Sequence, residues 1–310
     1  MSLVERALKK LQETRAPNDA SRPMHSQSPD VASPRVTANP AVLPQRTREI
    51  TLPIADRPSR VVAIDKSALR AMELMPPQNL ERLLANQYQQ VKRPLVASAL
   101  GRAGTAIKNG HLIMLASALP GEGKTFTSIN LALSLAREKD TEVLLVDADV
   151  AKPHLSRIFK MQSEPGLLDL LTDTQLHPDS CILTTDVPGL KLLPAGKQLE
   201  NATELLASDR MTQVVQQIGG DSGRRIVLFD SPPLLLSTES RALVPKVGQV
   251  VLVVRAEFTA QKAVLEALEA VGDGVPVSLI LNQSSSAPSG GYYGYGTYGD
   301  ADSQSADGAA

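Results

Sequence analysis

The chain has 310 residues, which is the length of one or two domains. It carries 32 Lys and Arg against 33 Asp and Glu, and the net charge of −1 excludes a whole-protein basic field as the basis for binding nucleic acid. Its one cysteine excludes an intramolecular disulfide framework and a cysteine-cluster zinc site. The chain has no apolar run near the roughly 18 residues of a membrane span and no signal peptide at its start, so we expect a soluble protein of a reducing compartment.

Residues 1–75 are predicted to lie outside the folded domain. Residues 1–12 have the apolar spacing of a short amphipathic helix, which is either frayed and without a partner or a docking segment for a protein or membrane surface. Between residues 16 and 60 a proline recurs every few positions, and proline lacks the amide donor that helices and sheets need. This stretch is therefore predicted to be a disordered tether.

Residues 76–283 are predicted to form an α/β domain. A helix is expected at 78–92, ended by Pro94, and continuous runs of β-branched residues then alternate with amphipathic segments. Such runs are typical of parallel strands buried on both faces, which predicts a doubly wound, mostly parallel sheet. The predicted strands are 111–116, 142–147, 190–194, 225–230, 249–254 and 277–282, and the further helices are 125–139, 203–218 and 260–271.

Residues 284–310 form a tail of Ser, Gly and Asp that is too polar to fold alone. The tail is either a low-complexity linker or a substrate for modification. It contains four of the five tyrosines of the chain: Tyr292, Tyr293, Tyr295 and Tyr298.

A glycine-rich loop, residues 117–125, joins the first strand of the domain to a helix, which is the context of a phosphate-binding loop. Gly121 and Gly123 allow the backbone amides to point at phosphate oxygens, and the helix adds its positive N-terminal end. We expect Lys124 to reach the β- and γ-phosphates and Thr125 to ligate Mg²⁺. The loop is a variant because Ala118 stands at the first glycine of the general pattern.

Three aspartates follow two of the predicted strands. Asp147 and Asp149 end the strand at 142–147, and Asp230 ends the strand at 225–230. Ligands bind at the carboxyl ends of strands in open α/β sheets, so these side chains should face the phosphates. One such aspartate could be a helix cap, but three together predict a Mg²⁺ and water network.

Residues 117–125, 144–149 and 226–233 resemble the Walker A, Walker A′ and Walker B motifs of the bacterial tyrosine kinases. These kinases are P-loop NTPases with a deviant Walker A loop, and Min- and Par-type ATPases have the same type of loop. The resemblance covers about residues 80–283 and the tyrosine-rich tail. The first seven residues resemble a subgroup encoded with exosortase-linked exopolysaccharide clusters, in which the kinase is a chain separate from its membrane partner.

The resemblance implies an ATP- and Mg²⁺-dependent autokinase that phosphorylates the four tail tyrosines and so regulates exopolysaccharide synthesis, export and chain length. Lys124, Asp147 and Asp149 form the expected catalytic set, with Asp147 as the base for the tyrosine proton. Asn282 matches a position that contacts adenine in related ATPases, although it is equally an ordinary strand-terminal Asn. The expected nucleotide contacts are Pro120, Gly121, Glu122, Gly123, Lys124, Thr125, Phe126 and Asn282, and the expected metal site is Thr125, Asp149 and Asp230.

The resemblance also implies partners. These are a membrane-anchored chain-length-determinant protein as activator, a second copy of the chain for transfer in trans, and a cognate tyrosine phosphatase. The protein is expected to be cytoplasmic and recruited to the membrane by its partner. Two motifs depart from the family: Lys152 stands where the Walker A′ motif has an arginine, and the Glu and two Arg of the oligomerisation motif are replaced by Asn86, Gln89 and Lys92.

Two alternatives to a kinase stay open at this point. A Min- or Par-type ATPase switch shares the deviant P-loop, but its signature lysine falls at Leu119 in this chain. A scaffold of the polysaccharide assembly machinery that responds to nucleotide without catalysis is the second alternative.

Overall fold

The computed structural model describes residues 61–101, 107–220 and 224–284, which form a sheet of eight strands with helices on both faces. The amphipathic segment 1–12, the tether at 16–60 and the four tail tyrosines lie outside these residues. The strands are β1 (Val61–Val62), β2 (Leu112–Ser117), β3 (Glu142–Asp147), β4 (Leu183–Thr185), β5 (Leu190–Leu193), β6 (Arg225–Asp230), β7 (Gln249–Arg255) and β8 (Val277–Asn282).

The strand order is β1-β4-β5-β3-β6-β2-β7-β8. Every neighbouring pair is parallel except β4 and β5, which are antiparallel. Because β2, β3 and β6 are parallel neighbours at the centre of the sheet, the P-loop and the strand-end aspartates leave the sheet at the same edge. The predicted mostly parallel sheet is confirmed.

Helices cover both faces of the sheet, as a doubly wound fold requires. Along β2, Leu112 and Met114 belong to one apolar cluster and Ile113 and Leu115 to the other, and all four are buried. The helices of the second cluster are α1 (Lys66–Ala71), α2 (Glu81–Ala99), α3 (Lys124–Leu135) and α4 (His154–Ile158). Those of the first are α5 (Leu167–Thr172), α6 (Ala202–Ala207), α7 (Asp209–Gly219), α8 (Thr238–Leu243) and α9 (Gln261–Val271).

The ordered domain starts earlier than the predicted boundary at residue 76. Residues 61–75 contain β1, which pairs with β4, and α1, which is capped by the side chain of Asp65. Val62, Leu69 and Met75 are buried in the second apolar cluster. These apolar side chains are too widely spaced to give a strong pattern in the sequence, which is why the sequence alone predicts residues 61–75 to lie outside the domain.

Three predicted helices differ from the structure, and one of them, predicted at 125–139, ends at Leu135. Pro94 lies inside α2, because the next residues, Leu95 and Val96, are buried and their burial offsets the hydrogen bond that proline removes. The helix predicted at 203–218 is divided into α6 and α7 at Ser208, whose extended backbone lets its hydroxyl cap α7 by accepting from Met211 N.

The positions of the degraded oligomerisation motif lie on α2. Asn86 and Gln89 are exposed, whereas Lys92 is buried and its Nζ lies 2.6 Å from a Glu138 carboxylate oxygen and 3.1 Å from the Ser134 carbonyl. Lys92 therefore joins α2 to the end of α3 within the chain. Among the described residues no helix is both long and apolar enough to span a membrane.

Candidate active site

The P-loop runs from the carboxyl end of β2 to the first residue of α3, Lys124. Gly121 and Gly123 have positive φ angles of 78° and 92°, which other residues adopt only with strain. A Cβ at Gly123 would also lie 2.0 Å from Nδ2 of Asn282. The glycines therefore let the loop curl tightly against the end of β8 and present its amides to a ligand.

A cavity of about 560 Å³ lies above this loop, within the usual range for small-molecule sites. It brings together most of the predicted nucleotide contacts, which come from two parts of the chain, residues 120–126 and residue 282. The cavity wall also includes five residues that the sequence did not single out: Met72, Glu73, Leu74, His154 and Gln283. The predicted residues that line it are Pro120, Gly121, Gly123, Lys124, Thr125, Phe126, Asp149 and Asn282, with Lys152 beside them.

Glu122 departs from the prediction, because its side chain is fully buried and does not line the cavity. Its carboxylate accepts from Leu119 N at 2.8 Å and from the Thr259 hydroxyl, and its carbonyl accepts from Nδ2 of Asn282 at 2.9 Å. The Glu122 side chain therefore fastens the P-loop to the β7–α9 connection, and a nucleotide contact at Glu122 is left to its backbone. No pattern in the sequence points to Thr259.

Asp230 lies under the start of α3 and is 1% exposed. Its carboxylate accepts from the hydroxyls of Thr125 at 2.9 Å and Ser128 at 2.8 Å. Burial raises the pKa of Asp230 to about 6, although Lys124 and the two hydroxyls oppose the rise. The predicted pairing of Thr125 with Asp230 in one metal site is therefore geometrically consistent, because the two side chains are in contact.

Asp147 is fully buried and does not line the cavity, contrary to the expectation that it faces the phosphates. Its Oδ2 accepts from the backbone N of Ser156 at 2.6 Å and from the Ser156 hydroxyl at 2.7 Å, while its Oδ1 is buried without a partner. Burial raises the pKa of Asp147 to about 7, and the charges of Asp230 and Asp149 add to the rise against the Ser156 hydrogen bonds.

Asp149 is the strand-end carboxylate on the cavity wall, with Lys124 and Lys152. Its Oδ1 accepts from Lys152 N at 3.1 Å. Burial raises the pKa of Asp149, while the Lys152 backbone and the two lysine charges lower it. Burial also lowers the pKa of Lys124, and the neighbouring carboxylates counteract the effect. The wall thus holds opposite charges next to the P-loop.

The donor set suits Mg²⁺. It consists of the Thr125 hydroxyl and the carboxylates of Asp149 and Asp230, with the unpartnered Oδ1 of Asp147 behind them. In the part of the chain that the structure describes, no three His, Cys, Asp or Glu side chains form a metal cluster by themselves. An ion held here would therefore complete its shell with water and phosphate oxygens, as Mg²⁺ at nucleotide sites commonly does.

Comparison with known proteins agrees with this geometry. The family model described as "AAA domain" matches residues 110–274, which is more than half of the chain. A solved structure, the kinase domain of VpsO, is 31% identical and covers 66% of this chain and 98% of its own, with a TM-score of 0.54. The chain belongs to the AAA domain family, among the bacterial tyrosine kinases.

Two curated relatives are named tyrosine-protein kinases. A tyrosine-protein kinase of Acinetobacter johnsonii is 33% identical over 49% of this chain, and the tyrosine-protein kinase YwqD of Bacillus subtilis is 28% identical over 61% of it. The matched part covers 76% of the Bacillus protein, but the chain spans only about a fifth of the length of the Acinetobacter relative. The family resemblance drawn from the three motifs is confirmed.

Proposed function

We propose that this protein is an ATP-dependent protein-tyrosine kinase that phosphorylates the tyrosines of its own tail. The observation that carries the proposal is the cavity in which the P-loop, Lys124 and Asp149 lie together, in a domain that matches almost the whole of a kinase domain. Four tyrosines also follow the end of β8 within 16 residues.

The chain's own groups supply most of what phosphoryl transfer needs. The amides of the P-loop and the N-terminal end of α3 hold the phosphates of ATP, and Lys124 stabilises the charge of the transferring group. Mg²⁺, bound at Thr125, Asp149 and Asp230, would neutralise charge on the β- and γ-phosphates. Lys152 adds a second positive charge to the wall, where the family has an arginine.

The tyrosine hydroxyl must lose its proton during transfer, and we assign Asp147 as the base. Its pKa of about 7 lies near the expected working pH, where a base is most effective, and its Oδ1 has no other partner. The role requires a path between Asp147 and the cavity that forms when nucleotide or tyrosine binds. Asp149, which already lines the cavity, is the competing candidate.

The cellular role is proposed from the resemblance of residues 1–7 to the exosortase-linked subgroup. We place the protein in the regulation of exopolysaccharide synthesis, export and chain length. A membrane-anchored chain-length-determinant protein would activate it and recruit it to the inner face of the membrane, and a tyrosine phosphatase would reverse the modification.

Neither alternative function gains support from a specific observation. The position of the signature lysine in Min- and Par-type ATPases is Leu119, whose side chain cannot contact phosphate and whose amide is bound by Glu122. A non-catalytic scaffold would release no phosphate and label no tyrosine. Incubation with ATP labelled at its γ-phosphate separates the three. A kinase places the label on tyrosine, an ATPase releases it as free phosphate, and a scaffold leaves it on ATP.

The central test is mass spectrometry of full-length protein with Lys124→Ala. Because Lys124 lies on the cavity wall, we expect the variant to keep its circular dichroism spectrum. It should lose at least 99% of its phosphotyrosine, since removing one group that stabilises transition-state charge typically lowers the rate about 10²–10³-fold. Lys262→Ala, at a lysine that is 86% exposed on α9, is the matched control and should keep wild-type phosphorylation. Phosphotyrosine near the wild-type level in the Lys124→Ala chain would refute the proposal.

A further inference from the structure

A second cavity, of about 690 Å³, lies between α2 and the edge strand β8, and we call it the α2–β8 groove. Its wall is mainly apolar: Leu80 comes from the turn before α2, Leu83 from α2 and Ile280 from β8, with Leu279 and Leu281 along the same strand. No Lys, Arg, Asp or Glu lines it. The groove adjoins the nucleotide cavity, because both are lined by Phe126, Asn282 and Gln283.

The leucines of this groove are unusually exposed for their size. Leu83 is 41% exposed, Leu279 58% and Leu281 64%. In addition, β8 is the last strand of the sheet and pairs only with β7 among the described strands. Exposed apolar side chains beside the edge of a sheet are a common binding surface, since they can take up both side chains and a further strand.

The position of the tail favours it as the occupant. Ser284, the last described residue, lines the groove, so the tail starts at the groove itself. Tyr292 follows Ser284 by eight residues, which span at most about 29 Å at 3.6 Å each, and Tyr298 by fourteen. The tail has no Lys or Arg and four aromatic rings, so burial of apolar area is the interaction that it offers to an uncharged groove.

We propose that the α2–β8 groove binds the unphosphorylated tyrosine-rich tail of the same chain and releases the tail when its tyrosines are phosphorylated. A short tether gives an effective concentration in the millimolar range, so weak affinity is enough for occupancy in cis. Each phosphate adds about −1.5 to −2 charges, and a groove without cations offers nothing to replace its hydration. The release step rests on the proposed kinase activity, whereas the binding step does not.

The first test measures binding of a synthetic peptide without ATP. A fluorescent peptide of residues 285–310 is added to the full-length chain in which Tyr292, Tyr293, Tyr295 and Tyr298 are changed to Ser. Fluorescence anisotropy should show binding that weakens at least tenfold with Leu83→Asp and with Leu80→Asp, where Leu80 is 42% exposed, and at least tenfold for the peptide carrying four phosphotyrosines. Leu265→Asp, at a leucine that is 52% exposed on α9, should leave the affinity unchanged.

Absence of peptide binding at millimolar concentration, or equal weakening by all three Asp variants, would overturn the docking. Equal affinity for the two peptides would overturn the release. Because no measurement uses ATP, failure here leaves the proposed kinase activity standing. Conversely, a chain that binds the peptide but labels no tyrosine would keep the docking site and refute the kinase.

The second test identifies the occupant. Leu83 of the otherwise unchanged chain is replaced by p-benzoylphenylalanine, and a 1:1 mixture of ¹⁴N and ¹⁵N chains is irradiated and analysed by mass spectrometry. We expect cross-links to residues 285–310 of the same chain, with few mixed-isotope products. The same replacement at Leu265 is the control and should not capture the tail. Cross-links mainly to residues 1–60, or mainly between chains, would refute occupation by the chain's own tail.

Discussion

The strand-end aspartates lie close together, yet their surroundings differ. Asp149 lines the cavity, Asp230 is bound by two hydroxyls of α3, and Asp147 is buried against Ser156. Burial disfavours their ionised forms and raises the pKa values of all three, and neighbouring Asp charges add to the rise at Asp147 and Asp230. Carboxylates in such surroundings can bind a cation together or accept a proton. We assign proton acceptance to Asp147 and cation binding to Asp149 and Asp230, and each role can be tested.

Asp147→Asn should lower the rate of tyrosine transfer about 10²–10⁴-fold while leaving ATP affinity within a few-fold of wild type, because an amide cannot accept the proton. Asn keeps an oxygen that can accept from Ser156 N, so the fold should persist. Asp149→Asn should instead weaken binding of ATP with Mg²⁺. Single-turnover transfer and nucleotide titration separate these effects, and a transfer defect confined to Asp149→Asn would move the base to Asp149.

At the scale of elements, Glu122 connects the P-loop to the start of α9. The buried carboxylate holds Leu119 N and the Thr259 hydroxyl, and Thr259 in turn accepts from Arg255 N at 3.2 Å. Hydrogen bonds to a charged group contribute about 1.5–3 kcal/mol each, so this contact should define the shape of the loop. Glu122 acts through the backbone of the loop and is thus a positioning residue.

Glu122→Gln should raise the KM for ATP roughly tenfold, since about 1.4 kcal/mol corresponds to a factor of ten, with a smaller change in kcat. Thr259→Ala should have a similar effect. The double variant should be no worse than the more damaging single variant, because both changes weaken the same hydrogen bond between Thr259 and Glu122. Steady-state kinetics measures both parameters. Additive effects, or a defect in kcat alone, would show that Glu122 does not act by shaping the nucleotide site through Thr259.

The central elements of the fold were predictable because their pattern is strong. The strands at 142–147, 225–230 and 277–282 have the predicted bounds, since each is a continuous apolar run between helices. The elements that were missed are short. β4 has three residues and α4 has five, and their positions depend on packing against the sheet more than on local propensity. Tertiary packing also carries α2 past Pro94.

The site was predictable in part for a similar reason. Lys124, Thr125 and Asp149 belong to short motifs whose spacing fixes their geometry, and the structure gathers them at one cavity. The partners that orient the motifs are single hydroxyls, such as Thr259, which is 137 residues from Glu122. One hydroxyl residue among many carries no pattern, so contacts of this kind become visible only in the folded chain.

At the scale of the whole molecule, the raised pKa values link stability to pH. Between their usual value of 3.8 and the folded values of about 7 and 6, Asp147 and Asp230 bind protons more tightly in the folded chain than in the unfolded chain. Their contribution to the free energy of unfolding therefore falls as pH rises across this range and is constant above it. Burial lowers the pKa of His111 and His154, which acts in the opposite direction near their usual value of 6.5.

We therefore expect the melting temperature of the nucleotide-free chain to fall more steeply between about pH 4.5 and pH 8 in wild type than in Asp147→Asn. Comparing the two chains cancels the contribution of the histidines. Mg²⁺ with ATP should reduce the difference, because a bound cation favours the ionised carboxylates. Differential scanning fluorimetry at matched ionic strength measures these slopes, and parallel curves for the two chains would show that Asp147 is not protonated preferentially in the folded state.

The whole molecule also limits how the tail can meet the cavity. Asn282 lines the cavity and the tail starts two residues later, so a tyrosine of the same chain lies within reach but must turn back over the strand that carries it. In-line transfer requires an aligned hydroxyl, and a short tether loses much freedom in reaching that alignment. A second copy presents its tail without this constraint. The contact between copies should be transient, because Asn86 and Gln89 are uncharged and Lys92 is paired with Glu138 within the chain.

We therefore expect transfer in trans. A Lys124→Ala chain, which can serve only as substrate, is mixed with an active chain whose four tail tyrosines are changed to Phe, which can serve only as enzyme. Phosphotyrosine should appear on the Lys124→Ala chain at an initial rate that rises about fourfold when the concentration of both chains is doubled, as a second-order reaction requires below saturation. The Lys124→Ala chain alone should stay unmodified. If it also stays unmodified in the mixture at every concentration, while wild type becomes phosphorylated at a rate per chain independent of dilution, transfer takes place in cis.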